Sequence, residues 1–329
     1  MVSGIAGPCA TRRAEPNLNP QAGYPETVMQ SPLPVRNGVN ATRLRLPEDG
    51  PWETAMDYVL ERFGHVDPDG IVDRFTRGEV VGLGGTPLTP ATPLSEHTFI
   101  WYYRELPPEE RIPVEIGILH QDENLLVVDK PHFLPTTPGG MYVAESALVR
   151  LRIQLDIPDL IPMHRLDRMT AGVLLFSTNP QTRGTYQTLF EKRRISKEYE
   201  AVAPVREDLE LPRTVRSRMI KSRTYLLAQE IEGEPNAETR IELLEVHGGL
   251  GRYRLLPHTG KTHQLRVHMA SQGIGILNDS FYPELLPQAP DDYARPLQLL
   301  ARSVRFTDPL TRKPVEYRSQ LSLDAFPAA

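Results

Sequence analysis

The chain has 329 residues, 40% hydrophobic and 24% charged, a globular composition long enough for one large domain plus a smaller one. Its one cysteine, Cys9, excludes a disulfide framework and a cysteine-based metal site, and fits a reducing, cytoplasmic setting. No apolar run reaches the ~18 residues of a membrane span, the opening "MVSGIAGPCATRR" lacks a signal-peptide pattern, and a net charge of −5 neither advertises nor excludes a nucleic-acid partner, since phosphate binding depends on local patches.

Residues 1–30, rich in Pro, Asn and Gly without periodicity, are expected to form a disordered leader. A small module is expected over 31–104. In it "PWETAMDYVLERFG" carries Trp52, Ala55, Met56, Val59, Leu60 and Phe63 at helical spacing, and Ile71, Val72 and Phe75 mark a second helix. "EVVGLGGTPL" reads as strand, glycine turn and short strand, and "TFIWYY" as a closing strand. The glycines of "VGLGGTP" are not followed by a helix, which excludes a dinucleotide or Walker phosphate loop.

Residues 105–113 are proline-rich and read as a linker to a large domain over 114–329. "ILHQD" and "LLVVDK" are strands joined by a turn at Asp122–Asn124, and Pro131 and Pro135 force an irregular loop after them. Residues 145–155 form an amphipathic helix, "GVLLFSTN" a buried strand, "PQTRGTYQTLFEKRRI" a helix and "SKEYEAVAPV" a strand. "ETRIELLEVHGGLGRYRLLPH" is a hairpin, "THQLRVHMASQG" a helix ending at Gly273, and "LQLLARSVRFTDPLTRKPVEYRSQL" a pair of strands around a turn. The fold class is α+β, with a mostly antiparallel mixed sheet and a few helices.

Four stretches carry chemistry. In "HRLDRMTAG" the carboxylate of Asp167 lies between Arg165 and Arg168 at the mouth of a buried strand; it is either a structural salt bridge or a carboxylate kept ionised to react. In "HTGKTHQLRVHMA" three histidines invite a metal, but His263 and His268 are five apart, on different faces of a helix, and no cysteine or acid stands at ligand spacing. Thr262 and Arg266 are four apart there, with Lys261 beside them, a cationic face suited to a carboxylate or phosphate. Residues 183–223 hold eleven Lys or Arg against six acids, which suits either a phosphate backbone or a solvated loop. Tyr199 of "KEYEA" lies in this basic zone, as a strand residue or as a ring for an extruded base.

Together these stretches resemble the RluA family of pseudouridine synthases over about residues 114–323. "LLVVDKPHFLPTTP" is similar to the family's opening strand and loop, "HRLDRMTAGVLLFS" to its catalytic His-Arg-Leu-Asp motif, "KEYEAVA" to its Lys-x-Tyr-x-Ala motif, and "LLPHTGKTHQLRVHMASQG" to its Thr-Gly-Arg-x-His-Gln-Ile-Arg-x-His motif. The resemblance implies isomerisation of specific uridines in ribosomal RNA, the large subunit's first, and/or transfer RNA, without cofactor or metal. Asp167 would be the catalytic aspartate, Arg165 would organise the loop and engage RNA, Tyr199 would pack on the target base, Arg266 would pair with Asp167, and Lys261 would face substrate. His164, Arg168 and Thr262 fall in the same motifs and would support the site. Residues 52–103 resemble, more weakly, the S4-type RNA-binding module. Lys261 stands where the family has arginine, Ala171 where it has serine, and "GIGILNDSFYP" departs from the usual pattern while keeping Asp279 and Tyr282. A monomeric enzyme with RNA as its partner is expected, against two alternatives: a non-catalytic RNA-binding protein on the same fold and a metal-dependent hydrolase.

Overall fold

A computed structural model describes residues 31–106, 108–222, 227–287 and 289–326. The expected leader, Cys9 and Arg223 of the basic zone lie outside them. Among the described residues no helix is long and apolar enough to cross a membrane.

The amino-terminal part builds a core of its own. Strand β1 (Thr42–Arg45) pairs antiparallel with β2 (Phe99–Tyr102), and helices α1 (Ala55–Phe63) and α2 (Pro68–Thr76) cover the pair. Thr54 and Asp57 close a capping box at the start of α1, and Asp67 caps α2 through the Gly70 amide. Leu44, Val59, Ile71, Phe75 and Ile100 meet inside. The strand expected over "EVVGLGGTPL" shrinks to isolated bridges from Val81 to Pro87 and Trp101, because three glycines supply no side chains to a ladder.

The large domain is one mixed sheet. Its described strands are β3 (Gly117–Gln121), β4 (Leu125–Lys130), β5 (Ile161–Pro162), β6 (Ala171–Ser177), β7 (Ser196–Pro204), β8 (Arg213–Lys221), β9 (Ala228–Ile231), β10 (Ala237–His247), β11 (Leu250–Pro257), β12 (Leu299–Thr307) and β13 (Pro314–Arg318). The order is β3-β4-β6-β12-β7-β11-β10-β8-β9, with β5 beside β6 and β13 beside β12, and only β6 and β12 run parallel. Helices α3 (Ala147–Leu155), α4 (Arg183–Glu191) and α5 (Gln264–Ser271) complete it.

Alternation along the central strands feeds two cores. Leu126, Val128, Leu174 and Phe176 face α3, while Leu125, Val127, Val173 and Leu175 face α4 through Tyr186 and Leu189. Each such side chain, wholly buried, contributes roughly 1.5–3 kcal/mol. A further core joins β7, β10 and β11 to α5 through Ala201, Ile241, Leu255, Leu265 and Met269. Tyr199 and Met169 pack against both the α3 core and the α5 core.

Three expected elements differ in detail. Helix α4 begins at Arg183, after a turn over Pro180–Thr182 in which the Asn179 side chain accepts the Gln181 amide. Helix α5 begins at Gln264, because His263 takes a left-handed backbone (φ +52°). Strands β8 and β9 were unanticipated; β8 buries only Val215 and Met219 among exposed cations. Helix α3, expected to be amphipathic, is covered on more than one side: Gly38 lies against Val149, and Arg152 donates to the Gly38 carbonyl at 2.9 Å.

Part of the 105–113 stretch is docked onto the large domain. Glu109 accepts the amides of Val143, Ala144 and Glu145, and Ile112 enters the α3 core.

Candidate active site

A cleft of about 800 Å³ opens where the loop before β6, the end of α4, the start of β7, the end of β11 and the start of α5 converge. Asp167 lies in it. Its loop is held from below by the "DKPHFLPTT" segment. Thr136 Oγ1 accepts the Leu166 amide at 3.1 Å and donates to the Leu166 carbonyl at 2.8 Å. Lys130, wholly buried, donates to the carbonyls of Pro131 and Leu134 at 2.8 Å and of Arg168 at 3.3 Å. The Thr170 amide then closes a turn onto the Asp167 carbonyl.

Gly172 lets β6 leave this turn beside β12. Its φ is +110°, and a Cβ there would stand 2.3 Å from the Ala301 carbonyl oxygen.

The Asp167 carboxylate is 30% exposed and makes no hydrogen bond among the described residues; Arg266 Nη1 is 3.9 Å from it and His263 Nε2 3.8 Å. Arg168 does not flank it, contrary to the sequence reading. Its guanidinium turns away and grips Asp291 through two hydrogen bonds, of 2.7 and 2.9 Å, with Tyr142 beneath. Neighbours in sequence on a tight turn point apart, so adjacency did not make a pair.

Arg266, expected to pair with Asp167, meets it through Nη1 at 3.9 Å, and is held more closely by a second carboxylate, Asp279, bidentate at 2.8 and 2.6 Å. Phe281 and Tyr282 stack against the same guanidinium. Arg266 is therefore a pre-set positive charge whose position does not depend on Asp167.

Tyr199 lines the cleft from β7, and both burial and the Asp167 charge push its phenol up. His164 lines the cleft wall and is also tied into the fold. It stacks on Phe190, its Nε2 accepts the Leu175 amide, and burial followed by the Lys197 charge pushes it down to about 3. Arg165 is exposed at the rim, with no ion pair among the described residues, and so is Lys261. Thr262 is exposed and does not line the cleft; since it precedes α5, it shares no helical face with Arg266.

Arg193 and Lys197 of the basic zone join Arg165 and Lys261 around the opening. Elsewhere in that zone Arg206 pairs with Asp208 and Arg216 with Glu238. The histidines do not converge: His258 is exposed, His263 faces Asp167, and His268 is wedged between Ser217 and Thr239 in the core. Among the described residues no cluster of three or more His, Cys, Asp or Glu could hold a metal.

Three site residues escaped the sequence reading. Lys130 ends a strand that read as core, so its contact with the Asp167 loop, 38 positions away, was invisible. His263 was weighed only as a metal ligand. Asp279 was noted as a retained residue without its role as the partner of Arg266. The only signal for the last two was their place in or near the fourth motif.

A lone carboxylate beside a fixed guanidinium, a buried phenol and a cationic rim suits chemistry on one extruded nucleotide of a polyanion. The family model for RNA pseudouridylate synthase matches residues 124–271. The dual-specificity RNA pseudouridine synthase RluA of Salmonella typhi is 34% identical over 214 residues, 62% of this chain and 90% of that one. An RNA pseudouridine synthase of a Synechocystis species is 28% identical, over 69% of this chain and 78% of its own. The solved structure of human RNA pseudouridylate synthase domain containing 1 shares the fold, with a TM-score of 0.52 and 24% identity over 66% of this chain and 90% of that one. The chain belongs to the RluA family of pseudouridine synthases. It is an isomerase that forms pseudouridine in RNA.

Proposed function

We propose that Asp167 is the reacting carboxylate, acting on a uridine flipped into the cleft from ribosomal RNA, the large subunit's first, and/or transfer RNA. The observation that carries this reading is Asp167 itself: a carboxylate in a cleft with no hydrogen bond among the described residues, held only by a long 3.9 Å contact to a guanidinium already anchored elsewhere. A structural salt bridge would hold it by close hydrogen bonds, as Asp279 holds Arg266. Arg165, Arg193, Lys197 and Lys261 hold phosphates around the opening, and Tyr199 supports the base. Extruding the uridine costs a few kcal/mol, less where the target already sits in a loop. The name of the Salmonella relative, dual-specificity, supports more than one class of RNA target.

The enzyme works as a cytoplasmic monomer, without a protein partner. Residues 31–104 serve as an S4-like RNA-binding module; their separate core and the exposed Arg43, stacked on Phe99, support this. Asp167→Asn tests the assignment: conversion should fall by about 10³-fold or more, with folding and RNA binding retained. Pseudouridine at wild-type levels would overturn it. Mapping pseudouridines in ribosomal and transfer RNA with and without the enzyme identifies the target.

A further inference from the structure

His263 holds an unusual backbone for an unusual purpose. A left-handed φ of +52° at a non-glycine residue is a strained conformation that the surrounding structure has to enforce. The strained turn places the imidazole in the cleft wall, 9% exposed, with Nε2 3.8 Å from Asp167 Oδ2.

The far side of the ring decides its tautomer. His263 Nδ1 is 3.0 Å from the Tyr282 hydroxyl. That hydroxyl accepts the Ala228 amide at 2.8 Å and lies 3.0 Å from the Ala228 carbonyl. A phenol has one proton and two acceptor sites. All three contacts are satisfied at once only if the phenol donates to the Ala228 carbonyl and accepts both the Ala228 N–H and an imidazole Nδ1–H. Nε2 then carries a lone pair, directed into the cleft beside a carboxylate oxygen. Two acceptors facing each other leave room for a hydrogen that neither owns, and the substrate brings it.

We infer that His263 is the general base that removes the C5 proton of the isomerising uracil. This rests on Asp167 being the reacting carboxylate. Once the N1–C1′ bond has broken and the uracil has turned, its C5 bonds to C1′. C5 then carries both the new carbon–carbon bond and its original hydrogen. Nε2 takes that proton, and the C5–H electrons restore the C5=C6 double bond. The imidazolium loses a proton to solvent, and N1 takes one from solvent. Nothing is oxidised or reduced. Asp167 stabilises the imidazolium as it forms. Burial, with the Arg266 and Lys221 charges, outweighs Asp167 and Asp279 and holds the resting imidazole below its usual range, in the neutral form a base needs.

The test uses the full-length enzyme and pooled unmodified ribosomal and transfer RNA transcripts made with uridine bearing protium or deuterium at C5. His263→Asn keeps a residue tolerant of the left-handed backbone. Its kcat should fall about 10²-fold or more with KM little changed, and the protium-to-deuterium ratio of kcat should rise well above the wild-type ratio, because C5–H cleavage becomes the slow step. Tyr282→Phe, which frees the tautomer without removing the ring, should raise the ratio to a lesser degree; it decides the matter if His263→Asn does not fold. Wild-type kcat, or a slower enzyme with an unchanged isotope ratio in both variants, overturns the inference. Asp167→Asn run in parallel separates the two assignments: product from that variant removes Asp167 from its role, whatever His263 does.

Discussion

Arg266 stands between two carboxylates and grips the one that does not line the cleft: Asp279 holds it by two hydrogen bonds, while Asp167 lies 3.9 Å from its third nitrogen. Both members of the gripped pair are buried, at 2% and 1% side-chain exposure. Asp279 also accepts the amides of Phe281 and Tyr282, so it shapes the turn that carries the tyrosine touching His263. Removing one partner of such a pair leaves an uncompensated buried charge, at about 3–5 kcal/mol. Asp279→Ala should therefore lower the unfolding free energy by that order. It should also reduce turnover, as Arg266 swings onto Asp167. Denaturant melts and single-turnover assays measure the two effects.

Arg266 and Lys261 should respond differently to truncation. Arg266→Ala removes the charge beside Asp167 and strands Asp279, so both kcat and stability should fall. Lys261 is exposed and has no ion pair among the described residues, so Lys261→Ala should weaken RNA binding alone and flatten the salt dependence of log affinity by about 0.7 for a single strand. Equal, mild losses in the two variants would count against this division.

Lys130 is the tether of the Asp167 loop. Burial, partly opposed by the Asp167 charge, pushes its ammonium down to about 7. A lysine whose folded pKa lies below its unfolded value binds fewer protons in the fold across that interval, so its contribution to stability rises as pH climbs from about 7 toward 10. The stability gap between wild type and Lys130→Met should widen over that range. Lys130→Met should itself cost roughly 1–3 kcal/mol for each buried carbonyl left unpaired. Urea titrations at stepped pH give both numbers.

His164 and His132 set a limit on the acid side. Burial holds them down to about 3 and about 4, the first stacked on Phe190 and the second donating from Nδ1 to the Met169 carbonyl. The unfolded chain takes up protons near pH 6.5 that the fold refuses, so stability should fall as pH drops from about 6.5 toward 4. In His164→Gln and His132→Gln that decline should be shallower, with turnover near neutral pH largely retained. A steep decline unchanged in both variants would show other groups to be responsible.

Much of the fold could be read in advance because its signals are local. Short continuous apolar runs in "LLVVDK" and "GVLLFS" mark the central strands, and helical spacing marks α1 and α2. Strands β8 and β9 escaped because their apolar positions are few and the outer face of β8 is cationic; β8 is a strand by pairing with β10 and β9 by pairing with β8, and pairing is not local. The short lead-in to α5 escaped because a histidine in a left-handed backbone carries no sequence mark.

The sequence alone determined the chemical class. Four motifs in order carry the carboxylate, the tyrosine and the cations, since the reaction requires those groups and spacing along the chain records them. The tertiary structure alone decided who faces whom. Arg168, next to Asp167 in sequence, is spent on Asp291; Arg266 belongs first to Asp279; of two histidines that line the cleft, His164 is bound to the Leu175 amide and His263 faces Asp167. Side-chain direction depends on turns, handedness and the packing of distant strands, and a carboxylate becomes available to react only where every nearby cation already has another partner or open space.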